Sequence, residues 1–199
     1  MANIIVTIGR EYGSGGREIG EKLAKELGFS FYDKDLLKII AEKSGIQEQV
    51  LAKADEAASN PLFAPYYPPS IDPGSLNDRV FKMEADLIKE KADTENCVIV
   101  GRCANYVLED RENVIRVFVY ADIEKRINRV MSRHGIVDRD VALKLIKKTD
   151  KQRRAYYQFY SEMKWGRIEG QDIMINSGLL GIDGTVALLK SIVEQKMAK

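Results

Sequence analysis

Along the chain, short apolar runs rich in β-branched residues alternate with longer stretches in which apolar residues recur every three or four positions. The first run, Asn3 to Ile8 (NIIVTI), reads as a strand buried on both faces of a parallel sheet. From Arg17 the period changes: Ile19, Leu23 and Leu27 fall four apart with charged residues between them, and Gly28 supplies a stop. A second strand, Phe29 to Tyr32, leads through Asp33 to a helix with Leu36, Leu37 and Ile40 on its apolar side, and helical spacing continues to about Ala58. Residues 60–74 (NPLFAPYYPPSIDPG) hold all five prolines and are neither helix nor central strand. A loop of that length in a compact domain is often functional. Helical spacing returns at Phe81, Ala85 and Ile88, followed by strands at 97–101 (CVIVG) and 114–120 (VIRVFVY).

After Tyr120 a helix carries Ile123, Ile127 and Val130 on one face and Arg126, Arg129 and Arg133 on the other. A long charged helix runs from Val141 to about Met163. A last strand, Asp172 to Asn176, precedes a closing helix in which Ile182, Val186, Leu189 and Val193 are spaced by four and three. Strands alternating with helices predict an α/β fold with a mostly parallel sheet.

The turn between the first strand and the first helix, "GREYGSGGREIG" at residues 9–20, is the main chemical signal. In parallel sheets ligands sit beyond the carboxyl ends of the strands, where the amides of the following helix form an anion site. Gly13, Gly15 and Gly16, with Ser14 among them, let consecutive N–H groups converge on one phosphate. A dinucleotide fingerprint, G-x-G-x-x-G with an acid about 20 residues on, is matched by Gly13, Gly15 and Asp33 but fails at its third glycine, where Glu18 stands. A P-loop, G-x-x-x-x-G-K-[ST], fails at its lysine, replaced by Gly16, and at the hydroxyl after it, where Arg17 and Glu18 follow.

Taken with "FYDKDLL", "VIVGRCANYVL", "DKQRRAYYQFY", "WGR" and "DIMINSGLLGID", this loop resembles the cytidylate kinase-like family, a divergent branch of the P-loop nucleoside monophosphate kinases, over nearly the whole chain. The resemblance implies a P-loop NTPase-type, five-stranded parallel sheet flanked by helices. It divides one domain into a core of about 1–33, 96–122 and 171–199, a monophosphate-binding segment of about 34–95 and a helical lid of about 130–168. It implies transfer of the γ-phosphoryl of ATP, with magnesium, to a nucleoside monophosphate such as CMP or dCMP. By the same resemblance Gly13, Ser14, Gly15, Gly16, Arg17 and Glu18 hold phosphate, and Asp33, Arg79 and Arg102 face the acceptor. Arg126, Arg129, Asp150, Arg153 and Arg154 fall in the arginine-rich lid. One departure stands out: Cys103 occupies the place of an aspartate that follows the Gly-Arg pair in authentic cytidylate kinases, which leaves the base preference open.

Phosphoryl transfer demands positioning and neutralisation of charge rather than one residue type, so the missing lysine has to be replaced by another cation. Arg17 or a lid arginine is the expected replacement, with Arg126, Arg129, Arg153 and Arg154 as catalytic candidates. Glu18 is the expected magnesium ligand, a carboxylate suiting that hard cation, and Asp150 is expected to anchor one arginine by a bidentate pair. Tyr156, Tyr157, Phe159 and Tyr160 read as local packing, and Tyr66 and Tyr67 as a cover for the acceptor. His134 has no expected role.

Composition narrows the field. With 199 residues and 45% apolar content, one core is the default. Lys plus Arg number 31 against 30 Asp plus Glu, so net charge offers no bulk attraction for nucleic acid or membrane. No run approaches a membrane span, and the expected setting is the cytoplasm, with small-molecule nucleotides as partners. Cys97 and Cys103 match no common zinc spacing and read as buried thiols. Two rivals remain: a kinase of another small acceptor, and a nucleotide-binding regulator without catalysis.

Overall fold

A computed structural model of the chain describes residues 3–33, 35–51 and 76–198. The proline-rich segment with Tyr66 and Tyr67, and the helical stretch expected to reach Ala58 beyond residue 51, lie outside the described residues. Five strands, β1 (Ile5–Arg10), β2 (Ser30–Tyr32), β3 (Cys97–Val100), β4 (Val114–Tyr120) and β5 (Ile173–Asn176), pair in the order β2-β3-β1-β4-β5, every pair parallel. Besides a helical turn at 48–51, the helices among the described residues are α1 (Gly16–Leu27), α2 (Asp35–Ser44), α3 (Leu76–Thr94), α4 (Ala104–Val107), α5 (Ile123–His134), α6 (Arg139–Ser161) and α7 (Ser177–Met197). The expected α/β architecture is therefore present.

Alternation along the strands explains the layers. Ile5, Cys97, Ile99 and Val114 face one side, where they pack with Leu36, Leu37 and Ile40 of α2 and Val80, Leu87 and Ile88 of α3. Val6, Ile8, Val98, Val100, Ile115, Val117 and Val119 face the other, against Ile19 and Leu23 of α1 and Val186, Leu189 and Val193 of α7. Because both faces are covered, the central strands are mostly apolar along their lengths, as their sequences indicate. Each such buried aliphatic side chain contributes about 1.5–3 kcal/mol, so truncating Leu23 to alanine at the centre of the α1 contact costs roughly 2–5 kcal/mol.

The chain leaves β1 toward β2 on one side and β3 toward β4 on the other. The direction of winding thus reverses around β1, the place where a crevice opens beyond the strand ends. A third, smaller cluster, Ile127, Val130, Ala142 and Ile146, joins α5 to α6, with Tyr12 packed against it. Helix α6 starts two residues before the first apolar residue of its pattern because the Asp138 side chain accepts the amides of Asp140 and Val141. Helix α7 is broken at Gly181, where φ is 70° and ψ is −177°, a conformation open to glycine alone.

Candidate active site

The glycine loop is shaped from both ends. Gly13 and Gly15 each adopt φ of 83°, and α1 begins with Gly15 in the capping position and no side chain capping it. The first amides of α1 therefore stay available to an anion, as at other helix starts. Ser14 turns inward, its hydroxyl donating to the Glu11 carbonyl at 2.9 Å, and Ser177 at the start of α7 donates to the Ser14 carbonyl at 2.6 Å. Ile182 closes over Gly15 so tightly that a Cβ there would collide with it.

Arg126 serves the loop's shape. Although the helical pattern sets it with the polar arginine face, it is only 6% exposed, because residues 11–12 of the loop pack on that face of α5. Its Nε donates to the Tyr12 carbonyl at 2.8 Å, and its guanidinium pairs with Asp150 and, at 3.1 Å, with Glu11. Asp150 does anchor an arginine, but not by the bidentate pair expected: its Oδ2 takes Arg126 while its Oδ1 accepts the Tyr12 amide at 2.8 Å.

Beside the loop, Arg10 and Arg17 meet one buried carboxylate, with Arg153 and Arg102 close enough to Arg10 to repel its charge. Asp33, at the end of β2, is 3% exposed. Arg17 donates from Nε to its Oδ2 at 2.8 Å and reaches Glu21 at 3.2 Å, while Arg10 approaches its Oδ1 at 3.8 Å. Arg153 of α6 donates to the Arg10 carbonyl at 3.1 Å and lies 5.4 Å from the Tyr12 ring. Arg102, in the left-handed region at φ 56°, pairs with the buried Glu84 at 2.8 Å, and Tyr156 donates to the other Glu84 oxygen at 3.0 Å. Burial, and next the charge of Arg153, push the Arg10 guanidinium down to about 9 against the pull of Asp33, with Arg102 and Arg17 adding to the push. Arg153 is lowered too, chiefly by burial, with Asp150 opposing. Among the described residues the cluster holds more positive charge than its carboxylates balance, and it suits an anion.

A second group forms at Glu18, whose carboxylate pairs with Arg129, with Arg133 at 3.6 Å and with Lys22 at 3.7 Å. His134 meets the Tyr12 hydroxyl at 2.9 Å. Phe81 of α3 stacks on Tyr160 with centroids 3.9 Å apart, and Tyr156 and Phe159 stand edge-on to Tyr160. The aromatics of α6 therefore pack across to α3 rather than only on themselves. Tyr157 is buried and bonds Asn105 at 2.8 Å.

The expected site residues thus fall into distinct places. Arg17, Asp33, Arg102 and Arg153 meet beside the loop, and Arg129 joins Glu18 at the start of α1. Arg154 is exposed and stands over Trp165, lining a cavity of about 500 Å³ with Glu11, Phe118 and Tyr120. Arg79 is exposed near the start of α3. Among the described residues, no group of three or more His, Cys, Asp or Glu is arranged to hold a metal. Sequence reasoning missed Arg10 altogether. The available signal was an arginine two residues past the apolar run, in a loop whose lysine position holds a glycine.

A parallel sheet that reverses its winding at a glycine loop, with arginines brought over that loop from distant helices, defines a P-loop kinase-type protein. Solved kinases share the architecture: shikimate kinase from Bacteroides thetaiotaomicron superposes with a TM-score of 0.54 at 17% identity, over 96% of this chain and 98% of that one. A gluconokinase from Sinorhizobium meliloti gives 0.52 at 15%, over 98% and 95%. A crystal structure of an uncharacterized protein from Eubacterium ventriosum agrees better, with a TM-score of 0.73 at 32% identity over 96% and 99%. The chain belongs to the cytidylate kinase-like family, whose model matches residues 5–179. It is 27% identical over 199 residues to a cytidylate kinase of Archaeoglobus fulgidus, covering 98% of this chain and 97% of that protein. Family and fold are those of nucleotide and small-molecule kinases. No helix among the described residues is long and apolar enough to cross a membrane.

Proposed function

We propose that this protein transfers the γ-phosphoryl group of ATP, with magnesium, to a nucleoside monophosphate, CMP or dCMP first, in the cytoplasm. One observation carries the reading: uncapped amides of α1 and a cluster of arginines that repel one another meet at the winding reversal of the sheet, and the cluster belongs to elements on either side of the loop. The amides of Gly13 to Glu18 hold the donor's phosphates. Asp33, Arg102 and Arg79 orient the acceptor, and Arg153 neutralises charge between the two. Arg126 acts by holding Tyr12 and Glu11 in place, and not by contact with the transferred group. ATP supplies the phosphoryl, and magnesium neutralises the oxygens that carry it.

Glu18 would hold that metal, since magnesium with bound phosphates takes only one or two carboxylates. Engaging it would release Arg129 and Arg133, now paired with it, toward the phosphates. Residues of about 130–168 act as the lid and 34–95 as the acceptor segment, linked through the stacking of Phe81 on Tyr160. Cys103, 4% exposed at the aspartate's place, leaves the acceptor's base open.

The test is a coupled ADP-release assay with magnesium ATP across CMP, dCMP, UMP, AMP and GMP. The reading expects turnover with CMP or dCMP foremost. Turnover with another acceptor moves the specificity and keeps the chemistry. ATP binding with no acceptor phosphorylated favours the silent regulator.

A further inference from the structure

We infer that Arg10 is the cation that replaces the missing lysine of the phosphate loop, and that Gly16 is glycine because the stem of Arg10 fills the space a side chain there would need. The inference rests on the kinase reading and adds to it a residue at the reacting group.

The space is shared at two points. A Cβ built on Gly16 lies 2.5 Å from the Cβ of Arg10 and 3.1 Å from its Cγ, so a lysine at 16 and the present course of Arg10 exclude each other. Farther along, a Cβ on Gly101 would run into Nη1 of the Arg10 guanidinium, and Gly101 itself holds φ of 80°. Two glycines, one at the start of α1 and one at the end of β3, therefore make a channel for one arginine. The channel carries the guanidinium from the end of β1, across the start of α1, to the end of β3.

The charge is held for use. The Arg10 side chain is 19% exposed. Among the described residues its Nε is buried without a hydrogen-bond partner, and its only ion-pair contact is the 3.8 Å approach to Asp33. A buried donor left unpaired is costly, and a phosphate oxygen in the crevice would satisfy it. Arg17, the replacement expected from the sequence, is already committed to Asp33 and Glu21 and is 47% exposed. A guanidinium fixed by its surroundings presents more than one donor to a phosphoryl group, which a lysine meets as a point charge.

Four variants decide the matter: Arg10→Met, which keeps most of the stem without the charge, Arg10→Ala, Gly16→Lys, and Arg10→Ala with Gly16→Lys together. Melting temperature without ligand reads the shared space. Affinity for a non-hydrolysable ATP analogue with magnesium, and for inorganic tripolyphosphate, reads the charge. We expect Arg10→Met to fold and to lose about 10- to 100-fold in affinity for both probes, the worth of one charge-assisted contact. Gly16→Lys should lower the melting temperature more in the wild-type background than in the Arg10→Ala background, and the double variant should bind tighter than Arg10→Ala alone. Wild-type binding matched within two-fold by Arg10→Met, or Gly16→Lys tolerated equally in both backgrounds, overturns the inference and leaves the kinase reading intact. Failure of the wild type to bind either probe overturns both.

Discussion

Asp150→Ala removes the one carboxylate that ties α6 to both Arg126 and the phosphate loop. The pair is enclosed, with side-chain exposures of 7% for Arg126 and 13% for Asp150, so solvent does little to rescue the Arg126 charge, which keeps only Glu11. Losing one partner of a buried pair costs about 3–5 kcal/mol. For a chain of this size 1 kcal/mol corresponds to about 2–4 °C in melting temperature, so the variant should melt roughly 6–20 °C lower. The Tyr12 amide also loses its acceptor, adding to the upper end. Asp150→Asn keeps an oxygen for Tyr12 and loses only the charge, so it should fall between. Replacing both partners by leucine should recover part of the loss, since apolar packing avoids the unpaired charge, though Arg126 contacts to Glu11 and Tyr12 are forfeited. Glu124→Ala is the control: its pair with Arg139 is 62% and 51% exposed and should cost under about 1 kcal/mol. Calorimetry of the full chain reads all of these. A melt of Asp150→Ala within about 2 °C of wild type would refute the account of how the loop is held.

Gly15→Ala should lower the melting temperature by about 2–8 °C, since the left-handed φ costs an L-residue about 1–2 kcal/mol and Ile182 must also give way; Gly15→Ala with Ile182→Val should recover only the contact part, as differential scanning would read. Glu84→Gln, which keeps the shape but loses the charge opposite Arg102 and Tyr156, should raise the acceptor KM about 10- to 100-fold with a smaller change in kcat, and an unmoved KM in steady-state kinetics would count against Arg102 as an acceptor residue. Burial pushes the Cys97 thiol up to about 12, and Cys103 is 4% exposed, so a thiol reagent at neutral to mildly basic pH should react with neither in the native protein and with both in denaturant. Rapid labelling of the native chain would contradict the packing under β3 and α4.

The strands were legible because both faces of the sheet are covered: β4 spans the same residues as its apolar run, and β1 ends later than its run because pairing with β4 continues through Gly9 and Arg10. The loop was legible for a similar local reason, a switch of period at a cluster of glycines. Arginine roles were not. Periodicity tells which face of α5 carries Arg126, Arg129 and Arg133, and a polar face on an isolated helix reads as solvated. Whether another segment covers that face depends on contacts more than 100 residues apart in sequence, such as Arg126 to Tyr12 and Arg129 to Glu18. Adjacent Arg153 and Arg154 are alike as letters yet one turns in toward Arg10 and the other out over Trp165. Arg10 escaped notice because it sits in the strand, where sequence patterns report burial and not the channel opened by Gly16 and Gly101.

The central claim is that phosphate is held between the glycine loop and the arginines around Asp33, and the most direct measurement is a crystal structure with magnesium, a non-hydrolysable ATP analogue and CMP. The account predicts the analogue's phosphates against the amides of residues 13–18 with the Arg10 guanidinium on them, the acceptor's phosphate at Arg102 with Arg153 between the two, and Glu18 parted from Arg129. Phosphates bound elsewhere, or a glycine loop left empty with Glu18 still closed on Arg129, would contradict it.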